Sequence, residues 1–356
     1  MIEFDFNIRS KYDEFIESCK MNGLILFGAS SAGKETIKKL KEKGIEIKAF
    51  CDNDKNKHGT IFQEIKVISI DELSGLDKET NIMITSMFFS DINKQLKELG
   101  FKNIMSRNIV TEARNFYDRS IILRDKEKIE ELYKCLFDKK SKYVVDNIIQ
   151  HRLTNDFEYI DNIYEGNQYF TEEIIKLGED EIFIDAGAAN GDTIEKFLSV
   201  SGNKFKKIYA FEPFKDSAKN LSDFVNEKGI SDKVIIENAA VYGKTGLMSF
   251  SGTGNWTSHI DSEGAEKINT KKIDEYFKDI PVSFIKMDIE GSEISALYGA
   301  EETIKKNKPK LAICIYHQAD DLWNIPLILA KMVPEYKIYI RHHYEDLSET
   351  VCYAVI

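Results

Sequence analysis

The residues with the most chemistry in this sequence lie close together in its last quarter. Asp288, Glu290 and Glu293 place three carboxylates within six positions, and the apolar run that follows, LAICIYH, ends in His317. A carboxylate or a neutral imidazole within hydrogen-bond reach can take the proton from a hydroxyl. An imidazole near its ordinary pKa suits that task. Asp288, Glu290 and His317 are therefore the candidate catalytic residues. Plainer readings exist for each: Asp288 orienting a ligand ammonium, Glu293 stabilising a helix start, His317 as a satisfied core or rim histidine. Carboxylates with imidazole also suit several metals, but this spacing matches no dedicated site, and no metal is expected.

A second constellation precedes the first. In IFIDAGAANGDT a strand enters a turn bounded by Gly187 and Gly191, and a helix leaves it. Glycine permits close backbone approach and positive φ, and helix N-terminal amides can receive an anion. However, Asp185 ends the strand and Asp192 opens the helix, and acids there would repel a pyrophosphate. They suit a cationic, hydroxylated nucleoside. S-adenosylmethionine carries a sulfonium, an ammonium group and no phosphate. Glu212 closes the next strand in YAFEP, where an acid can accept both ribose hydroxyls.

Such residues depend on a sheet edge to hold them. Near-continuous apolar strands alternate with amphipathic helices, the pattern of parallel sheets covered on both faces. The fold class read from this is α/β, with two doubly wound Rossmann-like units. Residues 1–109 make the first, with strands near 24–27, 47–51, 82–85 and 103–105. Residues 110–178 read as a helical linker or cover, with apolar spacing at Ile129, Leu132, Leu136, Val144 and Ile148. Residues 179–356 make the second unit, a seven-stranded sheet ending in an antiparallel hairpin. The units echo each other: an acid trails the first glycine by 24 residues from Gly28 to Asp52, and by 25 from Gly187 to Glu212. DFEYIDNIYEGNQYF is either a substrate-facing loop, with Tyr169 on the substrate, or a buried aromatic cluster between the units. FSGTGNWTSHI sets Trp256 and His259 on a loop that can touch substrate; the alternative is a strand connection anchored by its Trp. His342 and His343, adjacent on a strand, point to opposite faces and are expected at the surface or rim.

From Asn167 to Ile356 the sequence resembles the FkbM-type S-adenosylmethionine-dependent methyltransferases. The resemblance rests on QYF, FIDAGAANGDT, YAFEP, ENAAVYGKTG, FIKMDIEGSE and GAEETIKKNKPKLAICIYH, in that order. It implies a seven-stranded methyltransferase sheet, S-adenosylmethionine as cofactor, and methyl transfer to a hydroxyl of a sugar or other natural product. By position, Asp185, Gly187, Ala188, Asn190, Gly191 and Asp192 would cradle the methionine part of the cofactor. Glu212 and Pro213 would hold the ribose, and Asn238 and Ala239 would lie by the adenine. One departure stands out: Ala189 occupies a place where the wider methyltransferase pattern often has a third glycine.

In the first unit GASSAGK, Gly28 to Lys34, fits the start of a phosphate-loop motif. The next residue should be Ser or Thr to reach magnesium, and it is Glu35. Thr36 comes one place late, which argues against an NTPase. The unit instead resembles the N-terminal domain of sugar O- and N-acyltransferases that bind nucleotide-linked sugars. That resemblance would put Gly28, Ser30 and Asp52 on a nucleotide; a structural or dimerising domain without ligand is the alternative.

Composition narrows the classes. Hydrophobic residues make up 42% and charged residues 31%, enough apolar material for more than one core. With Lys+Arg at 49 and Asp+Glu at 60, the net charge is −11, which lacks the field that holds a nucleic-acid backbone or an anionic membrane. No apolar run approaches the ~18 residues of a membrane span, and the opening MIEFDFNIRSKYDEF does not read as a secretory signal. Five scattered cysteines without a C-x-x-C pair suit reduced thiols and a cytoplasmic setting. The expected function is methylation of a small sugar or nucleotide-sugar substrate by a cytoplasmic enzyme, with no nucleic-acid partner and with homo-oligomerisation left open. The alternatives are an NAD- or nucleotide-sugar-dependent enzyme using GASSAG and Asp52, and a non-catalytic nucleotide-binding module.

Overall fold

A computed structural model of the chain describes residues 9–86, 88–106, 116–251, 259–260 and 266–356. The chain divides into two compact units. One holds the residues up to Arg119 together with Ile149–Ile160; the other holds Ser120–Ile148 with Asp161–Ile356. The division falls inside the helix Lys139–Thr154.

In the first unit, strands β1 (Leu24–Phe27), β2 (Ile47–Cys51), β3 (Ile61–Phe62), β4 (Ile65–Ile68), β5 (Ile82–Ile84) and β6 (Ile104–Ser106) form one sheet in the order β3-β4-β2-β1-β5-β6. All pairs are parallel except the short β3–β4 hairpin. LILF of β1 is buried along its whole length because helices cover both faces. Ser30 caps the Ser31–Glu42 helix, its hydroxyl accepting from the Gly33 amide.

The second unit contains strands β7 (Ile182–Ala186), β8 (Lys207–Phe211) and β9 (Val234–Glu237). A small sheet follows, made of β10 (Ala240–Val241), β11 (Gly246–Ser251), β12 (His259–Ile260) and β13 (Glu266–Lys271). The strands β14 (Phe284–Met287), β15 (Lys310–Cys314), β16 (Lys337–His342) and β17 (Thr350–Val355) complete the main sheet. Its order is β16-β17-β15-β14-β7-β8-β9, with β17 antiparallel to both neighbours. The seven strands and the closing hairpin are those expected from the sequence. The small sheet was not, because its two longer strands, GLMSFS and EKINTK, carry no sustained apolar run.

The core of this unit is a layer of aromatic rings. Phe183 stacks on Phe197 at 4.8 Å and on Phe284 at 4.9 Å between centroids, and Phe170 packs on all three. These rings sit on one face of β7 and β14 and fix the Tyr169–Phe170 segment above them. Helix Lys126–Cys135 packs against helix Asp321–Met332, and Trp323 donates its indole N–H to Asp125 Oδ2 at 3.0 Å. The chain then runs beside β16, where the Phe137 amide donates to the Ile338 carbonyl at 2.8 Å. Buried Arg341 donates to Asp138 Oδ2 at 2.6 Å and locks the start of helix Lys139–Thr154.

His342 and His343 differ from the surface placement expected of them. Both are buried. His342 Nδ1 lies 2.8 Å from Thr350 Oγ1, and His343 bridges the Glu165 carbonyl and the Tyr353 hydroxyl. Their strand is the edge of the sheet, and the 160s segment covers it there, with the Glu165 amide donating to the His342 carbonyl at 3.0 Å.

Truncating Phe183 to Ala should remove the central ring of the stack and cost about 3–5 kcal/mol. The urea midpoint of the second unit should fall by roughly 1 M or more. An unchanged midpoint would show that the ring layer does not carry this core.

Candidate active site

At the C-terminal edge of β7, β8, β14 and β15 lies a cavity of about 550 Å³. Such an edge is where open α/β sheets take ligands. One wall is the turn after β7. Gly187 has φ 83°, and a Cβ there would come within 1.9 Å of the Asp288 carbonyl oxygen. Gly191 has φ 95° and its Cβ would meet Phe224 at 2.7 Å. Ala189 takes up the left-handed conformation at φ 43°, so the turn keeps a glycine-like path without the third glycine. Asn190, Asp192 and Thr193 line the cavity here; Asp185, Ala188 and Gly191 stand behind its surface.

Glu212 and Pro213 lie on the next wall. Glu212 Oε2 accepts the Ala189 amide at 3.0 Å and Oε1 accepts the Phe214 amide at 2.8 Å. Each oxygen keeps a further lone pair for a ligand. Burial pushes this carboxyl above its ordinary value, against the two amides. Asn238 does not face the cavity. It donates to the Glu212 and Pro213 carbonyls at 2.9 and 3.0 Å, and Ala240, Val241 and Ile268 supply the apolar wall beyond Asn238 and Ala239.

Beneath the turn lies a residue that the sequence reading missed. Lys286 is buried in β14, with Nζ 3.1 Å from Asp185 Oδ1 and donating to the Gly187 carbonyl at 2.9 Å. Burial works against the ammonium, but Asp185 and Asp288 outweigh it and hold Lys286 charged beyond its ordinary range. The signal was a lysine inside the apolar strand FIKM, since a buried charge must be paired.

Acids crowd the opposite end. Asp288 Oδ2 accepts the Tyr169 hydroxyl at 2.9 Å, and Oδ1 accepts the Tyr316 hydroxyl at 3.1 Å. Burial acts to raise Asp288, but Lys286 and His317 prevail and keep it ionised. Burial, reinforced by Asp288, holds both phenols protonated, so they remain donors. Glu349, another residue the sequence did not single out, joins this wall. Its Oε1 lies 3.2 Å from the Tyr316 hydroxyl, it accepts from Gln168, and burial next to Asp288 pushes it up to about 7. It sits in a polar loop whose sequence gives no motif.

His317 is fully buried. Nδ1 lies 2.8 Å from Glu293 Oε1, while Nε2 faces Asp288 Oδ1 at 3.4 Å and Glu290 Oε2 at 3.6 Å. The expected neutral imidazole is not what this setting favours. Burial opposes the charge, but Glu293, Asp288 and Glu290 dominate and raise His317 to about 9. A protonated imidazole cannot act as the base.

Of the other expected residues, Tyr169 lines the cavity, and its neighbour Phe170 belongs to the core. The Tyr169–Phe170 end of the aromatic segment thus both faces the cavity and packs, while Phe157 at its other end packs on Phe89 of the first unit's core. Trp256 lies outside the described residues, and only the backbone of His259 is described, in β12. In the first unit, Gly28 has φ 123° and a Cβ there would meet the Thr85 carbonyl oxygen at 2.8 Å. Ser30 donates to that same carbonyl at 3.3 Å. Asp52 accepts the Ala29 and Asp54 amides and pairs with Lys57, all at 2.9 Å. Thr36 donates to the Ala32 carbonyl at 2.9 Å inside its helix, as a helical threonine does and a magnesium ligand would not.

Replacing Lys286 with Met should strand Asp185 as an unpaired buried charge, at about 3–5 kcal/mol. Lys286→Met with Asp185→Asn should recover much of that loss in urea unfolding; equal losses would deny the pairing. Glu349 gives a pH prediction. Its folded value of about 7 exceeds the ordinary ~4.3, so the fold favours its protonated form. That stability is present below about pH 4 and is lost as pH rises through 7. Asp321, also raised to about 7, acts in the same direction. Thermal melts from pH 5 to about 7.5 should therefore fall in Tm, and less so in Glu349→Gln. Parallel slopes in the two proteins would contradict the assignment.

Residues 185–343 match the model of the Methyltransferase FkbM domain, and residues 20–105 match that of the C2185-like, N-terminal domain. No curated protein matches the chain in sequence. Among solved structures, the chain is similar to methyltransferase FkbM from Methylobacillus flagellatus KT, with a TM-score of 0.79 and 22% identity over 98% of this chain and 94% of that one. It also aligns with a putative rRNA-methylase from Clostridium thermocellum at a TM-score of 0.34 and 11% identity, over 57% of this chain and 94% of that one. An rRNA methylase from Streptococcus thermophilus gives 0.32 and 16%, over 50% and 87%. The domain match and the seven-stranded sheet agree: residues 185–343 of this chain form a methyltransferase domain of the FkbM type.

Proposed function

We propose that the second unit transfers a methyl group from S-adenosylmethionine to a hydroxyl of a sugar or glycan precursor. One observation carries the cofactor reading. Among the described residues the cavity wall bears five acids, Asp192, Glu212, Asp288, Glu290 and Glu349, and a single base, Lys286, whose charge is already taken by Asp185. A phosphate would find no free cation there, whereas a cationic nucleoside is attracted. The residues fit that group. Gly187 leaves room where a Cβ would strike backbone, Glu212 retains acceptor capacity for ribose hydroxyls, and Ala240, Val241 and Ile268 offer an apolar wall to a base.

When bound, S-adenosylmethionine supplies an electrophilic methyl carbon on a sulfonium. This chain's residues then have three tasks. The turn from Gly187 to Asp192 and the Glu212 carboxylate fix position, which supplies much of the rate in an in-line displacement. Gln168, Tyr169, Tyr316 and Glu290 present donors and acceptors at the acid end, a set suited to a polyhydroxylated acceptor. Glu349 takes the acceptor hydroxyl's proton, since a base near pH 7 is best matched to that step. Asp288 is held ionised by Lys286 and His317, so it serves to orient the two phenols rather than to carry the proton.

Isothermal titration of the full chain with S-adenosylmethionine should show saturable binding at one equivalent. Glu212→Gln should weaken it roughly tenfold, the effect of losing about 1.5 kcal/mol of charge-assisted hydrogen bonding. Absence of binding to the unmodified protein would sink the reading.

A further inference from the structure

His343 is buried, and each of its ring nitrogens has a defined neighbour. Nδ1 lies 3.0 Å from the Glu165 carbonyl oxygen and 3.2 Å from that of Gly166. A carbonyl oxygen only accepts, so Nδ1 carries the hydrogen. In the neutral ring the other nitrogen is then an acceptor. Nε2 lies 2.8 Å from the Tyr353 hydroxyl, which therefore donates its one hydrogen to the ring. The Tyr353 oxygen keeps its lone pairs. It accepts the Tyr169 amide at 2.9 Å, with Thr171 Oγ1 at 3.4 Å. The tautomer of His343 is thus tied, through one phenol, to the backbone of Tyr169.

Tyr169 depends on that tie. Its φ is 68°, a conformation costly for a residue with a Cβ and kept only where the surroundings impose it. From this position its hydroxyl donates to Asp288 Oδ2 at 2.9 Å, and the residue lines the cavity. A second proton on the imidazole breaks the order of donors. Nε2–H and the Tyr169 N–H then both point at the Tyr353 oxygen. The phenol hydrogen is left with Thr171 Oγ1, itself engaged with the Asn167 carbonyl at 3.3 Å. Of the charged groups facing the ring, Glu165 favours its charged form and Arg341 opposes it; burial prevails and holds His343 below its ordinary value. Tyr353, on the neighbouring strand, is kept protonated by burial.

We propose that His343 and Tyr353 are positioning residues for the cavity: the neutral imidazole, protonated at Nδ1, turns the Tyr353 hydroxyl so that its oxygen holds the Tyr169 amide, and with it the Tyr169 phenol on Asp288. Neither residue lines the cavity, so both act through Tyr169. Protonation of His343 releases Tyr169 from this position. The consequence for ligand binding rests on the reading of the cavity as the S-adenosylmethionine site; the brace itself does not.

The experiment follows full-length protein, isotope-labelled at its tyrosine and histidine nitrogens, by nuclear magnetic resonance. The Tyr169 amide is identified by its loss in Tyr169→Phe, and the His343 ring by its loss in His343→Gln. Between about pH 7.5 and about pH 5 the two should titrate with one midpoint, below the ordinary ~6.5 of histidine. Glu349, raised to about 7, titrates separately. In His343→Gln, whose side-chain oxygen accepts but does not titrate, the Tyr169 amide should lose the lower midpoint. Tyr353→Phe should speed solvent exchange of that amide roughly tenfold or more. If Tyr353→Phe fails to fold, the His343→Gln comparison decides. A Tyr169 amide that titrates alike with and without His343, or a neutral ring protonated at Nε2, overturns the proposal. S-adenosylmethionine titration at about pH 7.5 gives a second readout: Tyr169→Phe and Tyr353→Phe should each weaken binding about threefold, and the double variant no more than the larger single loss. Additive losses, or none, overturn the positioning role. If the unmodified protein binds no S-adenosylmethionine, the methyltransferase reading falls and the amide titration alone decides the brace. Binding with a Tyr169 amide blind to His343 sinks only the brace.

Discussion

The buried pair of Asp185 and Lys286 underlies everything at the sheet edge. It joins β7 to β14 at the point where both strands end, with neither side chain reaching solvent. Two charges removed from water tolerate one another only if the geometry is maintained. Lys286 maintains it by also donating to the Gly187 carbonyl, which ties the ion pair to the turn. Its ammonium lies 5.1 Å from the centre of the Tyr169 ring and near enough to Asp288 to keep that carboxylate ionised. The turn, the cavity floor and the acid end are therefore set by a single charge.

The two units use one device differently. In each, an acid at the end of the second strand accepts an amide from the glycine turn and another from two residues onward. In the first unit Lys57 also pairs with that acid. Burial acts to raise Asp52, but the Asp54 amide and Lys57 outweigh it and leave the carboxylate ionised and compensated. Glu212 has two amides and no lysine at hydrogen-bond distance, and burial leaves it above its ordinary value. The shared scaffold thus leaves one acid satisfied within its own unit and the other with capacity for a ligand.

Backbone conformation points to the same place. Tyr169, Ala189, Glu290 and Glu349 all have positive φ, from 43° to 68°, and all four line the cavity. Such conformations are costly for residues with a Cβ and persist where packing over-determines them. Phe170 in the ring stack and the Tyr353 hydroxyl on the Tyr169 amide hold one of them; His343 braces Tyr353 from behind.

The sequence by itself determined the strands, the two glycine turns, the acids after them and the closing hairpin. Those follow from local rules: apolar runs bury, glycine permits positive φ, and an acid beside such a turn is visible as a letter. It also placed Asp185, Glu212 and Asp288 in one region, since strand ends of a parallel sheet share an edge. Only the tertiary structure decided what the side chains meet. Asn238 turned from the ligand to clamp a carbonyl pair, Lys286 entered the core beside Asp185, and Glu349 arrived from a loop 61 positions after Asp288. His317 has three carboxylates around one ring because β14 and β15 pair side by side, a neighbourhood absent from the chain's linear order. Electrostatic character depends on distance and burial, and neither exists until the strands have paired.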